Sequence, residues 1–281
     1  MPIHDQGYRR YGGSKAPLGQ GWMVIARAGI RAMFAKRAFL GLLLLAWSPF
    51  LVGAIQMWAT TVPQFAVLLK VTAETFHNYL DNTFQRILVF VITVYVGAGL
   101  IANDRRANAL QIYLSKPLSR AEYVFGKLAI LGFFLLLITW VPAMVLLIVQ
   151  AAFAGSFSFV WNNLFLFPAI TVFSAIEVIV VSFTMLALSS LSNSSRYVGI
   201  LYAGVIFFSA AIFGVLYAVT RSTMFSWISF SANLEQLGNV IFRQPLKYET
   251  PWPVSLFVLV FVVALSGVIL ERRVRGVEVV A

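Results

Sequence analysis

From Asn103 to Lys127 the sequence reads NDRRANALQIYLSKPLSRAEYVFGK. This charged passage stands between two stretches that carry no charge, ILVFVITVYVGAGLIA (Ile87–Ala102) and LAILGFFLLLITWVPAMVLLIVQAAFA (Leu128–Ala154). A helix of about 20 apolar residues crosses a hydrocarbon layer about 30 Å thick. The passage is therefore read as a polar loop joining two membrane spans, the first of which opens about a turn before Ile87.

The same reading extends along the chain. Apolar runs predict spans at Phe39–Ala59, Ile87–Ala102, Leu128–Ala154, Pro168–Leu191, Tyr197–Thr220 and Val254–Leu270. Pro142 should kink the third span without ending it, because a neighbour can satisfy the carbonyl it frees. Pro168 suits a first helical turn. Hydrophobic residues make up 60% and charged residues 11%, with mean hydropathy +0.86; a soluble domain carries about 25% charge. The expected fold is an all-α integral membrane domain over residues 1–281: a polar leader (1–20), an amphipathic interface helix (21–38), a six-helix bundle (39–270) and a tail (271–281). The leader is Gly-rich and aperiodic, which favours disorder. In 21–38, Arg27 and Arg31 share one side of a helix, with Trp22, Ile25 and Met33 broadly opposite, a pattern suited to the membrane surface. No cleaved signal is expected, since Phe39–Ala59 exceeds the ~7–15 apolar residues of a signal peptide.

A net charge of +11 raises the question of nucleic acid. Its distribution answers otherwise. Only Lys70, Arg86, Arg221, Arg243 and Lys247 fall on one side of the predicted topology, and the other sixteen of the 21 Lys and Arg fall on the side of both termini. The positive-inside rule places that side in the cytoplasm, and no nucleic-acid partner is expected. There is no cysteine, hence no thiol or disulfide chemistry. His4 and His77 are the only histidines. Glu74, His77 and Asp81 fall at helical spacing, but this is too thin a set for a metal site, and none is predicted.

The opening passage can now be parsed. Asp104, Arg105 and Arg106 close the second span, ANALQIYL continues with helix formers, and SKP interrupts because a residue before proline is pushed out of the α region. Ser119 with Glu122 forms a capping box that restarts the helix. The result is a capped cytoplasmic elbow carrying Leu110, Ile112, Leu114 and Leu118, more apolar surface than a plain loop needs. Exposed apolar residues rimmed by charge suggest a protein partner.

IANDRRANALQIYLSKPLSRAEYVFGKL resembles the signature of the permease subunits of ATP-binding-cassette exporters, the ABC type-2 permease family. The matching positions are Ala109, Leu110, Leu114, Pro117, Leu118, Ser119, Arg120, Gly126 and Lys127; Ala109 stands where the family often has Thr, and Asp104 where it often has Glu. The resemblance implies a coupling helix that docks on a separate P-loop ATPase, through Leu110, Leu114, Pro117, Leu118, Ser119, Arg120 and Glu122. It implies a second, smaller contact in SSLSNSSRY, at Ser192, Asn193 and Arg196, and short re-entrant helices before the sixth span. It also implies a second permease chain, identical or different, and residence in a bacterial inner membrane. A self-contained pump would need G-x-x-x-x-G-K-[ST]. Gly126-Lys127 lacks the upstream glycine and is followed by Leu, so ATP and Mg are expected in the partner and no cofactor in this chain.

Three further features complete the reading. Glu177 falls about 13 Å into the fourth span, counting from Pro168, and an acid at that depth is a candidate for the transport pathway; a bond to a serine or tyrosine of a neighbouring helix is the structural alternative. Gly199 with Ala203, and Ala210 with Gly214, allow close helix approach, within the chain or between two chains. Trp161, Trp227, Phe230 and Trp252 read as interfacial anchors. The expected function is export by alternating access; a stand-alone carrier or channel is the alternative, and would call for several intramembrane charges and inverted repeats.

Overall fold

A computed structural model describes residues 20–66, 71–109, 118–153 and 158–274, and among them the regular structure is all helical. Six helices are long and apolar enough to cross a membrane. They are α2 (Arg37–Ala59), α4 (Thr83–Arg106), α5 (Arg120–Phe153), α6 (Leu166–Leu191), α7 (Ser195–Thr220) and α9 (Trp252–Arg273). Three shorter helices complete the frame: α1 (Gly21–Phe34), α3 (Ala73–Asp81) and α8 (Phe230–Ile241). Six crossings return the chain to the end where it started, here called the near end; α3 and α8 belong to the far end.

α6 is the axis of the bundle. It packs against α3, α4, α5, α7, α8 and α9, and most of its residues from Phe173 to Ser190 are buried. α7 is the opposite case, with only Val198 and Tyr202 buried and a π-helical turn at Gly204–Phe208 that the periodicity does not announce. An outer helix and an axial helix look alike in hydropathy, because lipid and protein interior are equally apolar.

α5 is the longest element, 34 residues or about 51 Å at 1.5 Å per residue, well beyond a hydrocarbon layer. It starts at Arg120, not near Leu128 where its apolar run begins, because the capped turn extends it. α1 and then α2 accompany it in parallel. The Gly21 amide lies 3.2 Å from Glu122, Gly126 faces Ile25, Gly29 faces Ile130, and Phe34 and Phe39 pack on Phe134. A β-carbon on Gly29 would lie 2.2 Å from Ile130 Cδ1, and one on Gly126 would lie 3.0 Å from the Trp22 carbonyl. Those two glycines therefore set how closely α1 can approach. The inward face of α1 is Ile25, Ala26, Ile30 and Met33, while Arg27 and Arg31 are exposed.

Pro142 acts as the sequence suggests. The helical ladder of α5 is interrupted at Thr139, and Pro142 cannot donate to the carbonyl four residues back, that of Ile138. The Gln85 side chain of α4 donates to that carbonyl at 2.9 Å in a buried setting. A similar insertion interrupts α4 at Ala98: the amides of Ile101 and Ala102 both donate to Ser189 Oγ of α6 at 3.1 Å, and Ser189 Oγ donates to the Ala98 carbonyl at 2.9 Å. A side chain entering the ladder is a recognised cause of a helix break.

Candidate functional site

The near end is built around the two legs of the elbow. Ser119 Oγ accepts from the Glu122 amide at 3.1 Å, and Glu122 Oε2 accepts from the Ser119 amide at 2.8 Å, the capping box read from the sequence. The other carboxylate oxygen, Oε1, accepts from the Gly21 amide. One side chain thus caps α5 and holds the first turn of α1. Leu118 packs against Gly21, and Arg120 is exposed. Leu110, Leu114 and Pro117 lie outside the described residues.

Where the elbow meets the bundle, α4 and α5 are joined by an ion pair. Asp104 Oδ2 accepts from Lys127 Nζ at 2.7 Å and from the Tyr123 hydroxyl at 2.8 Å. Lys127 is 8% exposed. A lysine so enclosed is stable as a cation only beside an acid, which gives the Gly126-Lys127 pair two structural tasks: the glycine admits α1 and the lysine fastens α4. The Arg105 guanidinium donates to the Ser190 carbonyl, and Ser189 is inserted into α4. The second loop is therefore fixed to the first leg of the elbow. Within it the Ser194 amide donates to Ser192 Oγ at 3.1 Å, while Asn193 and Arg196 are exposed.

Deeper in the bundle, Glu177 is buried on α6, eleven residues from Leu166 and so about 17 Å along the helix. Its Oε2 has no hydrogen-bond partner among the described residues. A cavity of about 50 Å³ lies beside it, lined also by Asp81, Arg86, Phe90, Tyr202 and Phe230.

These features, six spans with α1 and an elbow clamped between the second and third, agree with the match of a family model described as ABC-2 family transporter protein to residues 25–270. The chain belongs to the ABC-2 family. A search of curated proteins found no match. This ABC-2 protein is a multi-pass membrane protein of a transporter family, and its near-end clamp gives physical content to Asp104, Gly126 and Lys127, three positions of its signature region.

The far end holds the residues that the sequence reading passed over. Arg86, at the start of α4, meets Asp81 of α3 at 2.6 Å and Glu235 of α8 at 3.1 Å. Lys247 reaches Glu235 at 2.6 Å, and the Tyr248 hydroxyl donates to it at 2.8 Å. Burial pushes the Asp81 carboxyl up to about 6 although Arg86 pulls the other way. Burial also acts to raise Glu235, but the hydrogen bond from Lys247 and the charge of Arg86 outweigh it and hold that carboxyl below its ordinary range. His77 is lowered chiefly by burial, between the rings of Phe173 and Phe242 and against Gly238. α3 is thus wedged into the bundle by Phe76, His77, Tyr79 and Leu80 instead of lying along its surface. A hint was present in the sequence: Glu235 is the sole charge between Arg221 and Arg243.

Two expectations need correction. Phe230 is buried and lines the Glu177 cavity, so it does not anchor at an interface, whereas Trp161, Trp227 and Trp252 are exposed. The small-residue pairs of α7 also differ: Gly199 faces Val94 of α4, while nothing lies within 4 Å of a β-carbon at Gly214.

Proposed function

We propose that this protein is the membrane permease of an ATP-driven exporter, working with a separate P-loop ATPase that docks at the near end and with a second permease chain. The observation that carries this reading is the near-end clamp. The two legs of the elbow, the first turn of α1 and the second loop are tied by Asp104–Lys127, Glu122–Gly21 and Ser189 to the backbone of α4. A push on the elbow at Leu114, Pro117, Leu118 or Arg120, or on the loop at Ser192, Asn193 or Arg196, would then move α4, α5 and α6 as a unit. Rigid-body rocking of that kind is a known route to alternating access.

ATP and Mg belong to the partner in this scheme, since the lysine of the chain's Gly-Lys pair is engaged by Asp104. The charge distribution supports a cytoplasmic near end, in a bacterial inner membrane. Glu177, an acid without a protein partner at the centre of the bundle, is the residue we assign to the transport path. The test is co-purification with the ATPase encoded beside this chain, and stimulation of its turnover in lipid. Loss of that association in Leu114→Arg or Arg120→Glu, with the bundle still folded, is the expected result. Cargo movement by this chain alone, without ATP, would refute the proposal.

A further inference from the structure

We propose that the Asp81–Arg86–Glu235 bridge, clasped by Lys247 and Tyr248, is the far-side gate of a hydrophilic passage leading to Glu177. Two cavities meet at this bridge. The outer one, about 480 Å³, is lined almost wholly by polar groups, among them Asn78, Asn82, Asn239 and Gln244. The inner one is the cavity of about 50 Å³ beside Glu177. Asp81 and Arg86 line both, so the ion pair they form is the wall between them.

The inner cavity exceeds the ~10–15 Å³ that a water needs. Its buried carboxyl oxygen has no protein partner, and leaving such a group dry is costly. The inner cavity is therefore wet, although enclosed among α4, α6, α7 and α8. The passage is continuous except where Arg86 holds an acid on each side.

A static tie would be the ordinary reading of such a cluster, and the burial of its members argues for a hinge instead. The side chain of Arg86 is 32% exposed and that of Lys247 is 60% exposed, while Asp81 and Glu235 are at 9% and 12%. The cations can therefore exchange a carboxylate for water at modest cost, whereas the near-end Asp104–Lys127 pair is enclosed from both sides, at 19% and 10%. The bridge also joins elements that are distinct bodies: α3, the start of α4, α8 and the segment before α9. Rocking of α4 relative to α8 would part Arg86 from Glu235 and open the wall.

The inference takes from the proposed function only the orientation of the far end. It can be tested in sealed vesicles carrying the permease with its ATPase, because the chain has no cysteine. A Glu177→Cys variant is treated with a membrane-impermeant cationic methanethiosulfonate, and modification of this chain is followed by mass spectrometry. With the bridge intact, labelling from the far side is slow. It rises at least tenfold with Glu235→Gln or Asp81→Asn, and severalfold with the milder Lys247→Ala, which keeps a folded comparison available. Cross-linking an Asp81→Cys, Glu235→Cys pair with a bifunctional thiol reagent abolishes any increase that ATP produces in the Glu177→Cys background. Equal labelling with intact and broken bridges, or labelling only from the near side, overturns the gate. A rise on breaking the bridge with no response to ATP upholds the gate and counts instead against ATPase coupling.

Discussion

The two ends of this molecule each hold a cluster of opposite charges, and the clusters are built for different work. At the near end Asp104, Lys127 and Tyr123 close on one another where α4 and α5 meet, and both ionised groups are enclosed. At the far end Arg86 and Lys247 present part of their side chains to a polar cavity, with their acids buried behind them. An enclosed pair is hard to separate because either charge, left alone, has no solvent to receive it. A pair with one wet partner separates readily. The near end is thus suited to transmit movement and the far end to yield to it.

Removing the near-end cation should have the largest effect. Lys127→Met leaves Asp104 enclosed with a single hydroxyl donor, and removing one member of a buried pair costs about 3–5 kcal/mol; thermal unfolding in detergent should show a fall in Tm or loss of folded protein. The double variant Asp104→Asn, Lys127→Met should recover most of that stability, and a failure to recover it would mean the pair is not the chief partner of either residue.

Gln85→Leu comes next. It strips the Ile138 carbonyl of its donor beside Pro142, and an orphaned buried acceptor costs about 1–3 kcal/mol. Restoring a helical donor with Pro142→Ala in the same chain should remove most of the penalty. Ser189→Ala should cost about 1 kcal/mol, close to an ordinary hydrogen bond, since the amides of Ile101 and Ala102 can return to the helical ladder. Its sharper consequence is expected in function, as weaker ATPase stimulation with docking retained, because the second loop is then less firmly joined to α4.

Lys247→Ala should change stability least, by about 0–1 kcal/mol as for exposed ion pairs, and a large fall in Tm would show the far end to be as rigid as the near one. Acidification should act at the same place. Asp81 is raised from its ordinary value to about 6, so the folded protein takes up this proton before the unfolded chain does, and from this group stability declines as pH rises from about 4 to about 6. Between pH 7.5 and 5.5 Asp81 becomes neutral, while Glu235, held low by Lys247 and Arg86, stays ionised. His77 and Glu74 also face this cavity. Far-side labelling of Glu177→Cys, corrected for the intrinsic pH dependence of the thiol, should rise about two- to threefold, and an Asp81→Asn background should remove that rise.

How much of this was legible in the sequence depends on distance along the chain. The capping box at Ser119 and Glu122 was legible because its partners are three residues apart and serve one helix start. That Glu122 also receives the Gly21 amide was not, since the partners are 101 residues apart. Pro142 announced a freed carbonyl and left its donor unnamed, because Gln85 lies 53 residues before the carbonyl it serves. Lys127 was read as a signature position, and its acid could have been guessed only from the coincidence that both flank the elbow. The far-end bridge was missed altogether: Arg86 and Glu235 are 149 residues apart, and each looked like an ordinary polar residue at the margin of a span.

By itself the sequence determined the number of spans, their order, the shared side of the termini and the capped restart at Ser119, because hydrocarbon thickness and local hydrogen-bond geometry act on consecutive residues. Only the tertiary structure decided that α6 is the axis and α7 the rim, that Asp104 holds Lys127, and that Arg86 stands between Glu177 and the far side. Those facts depend on which helices become neighbours, and an apolar surface meets lipid and protein with nearly equal ease.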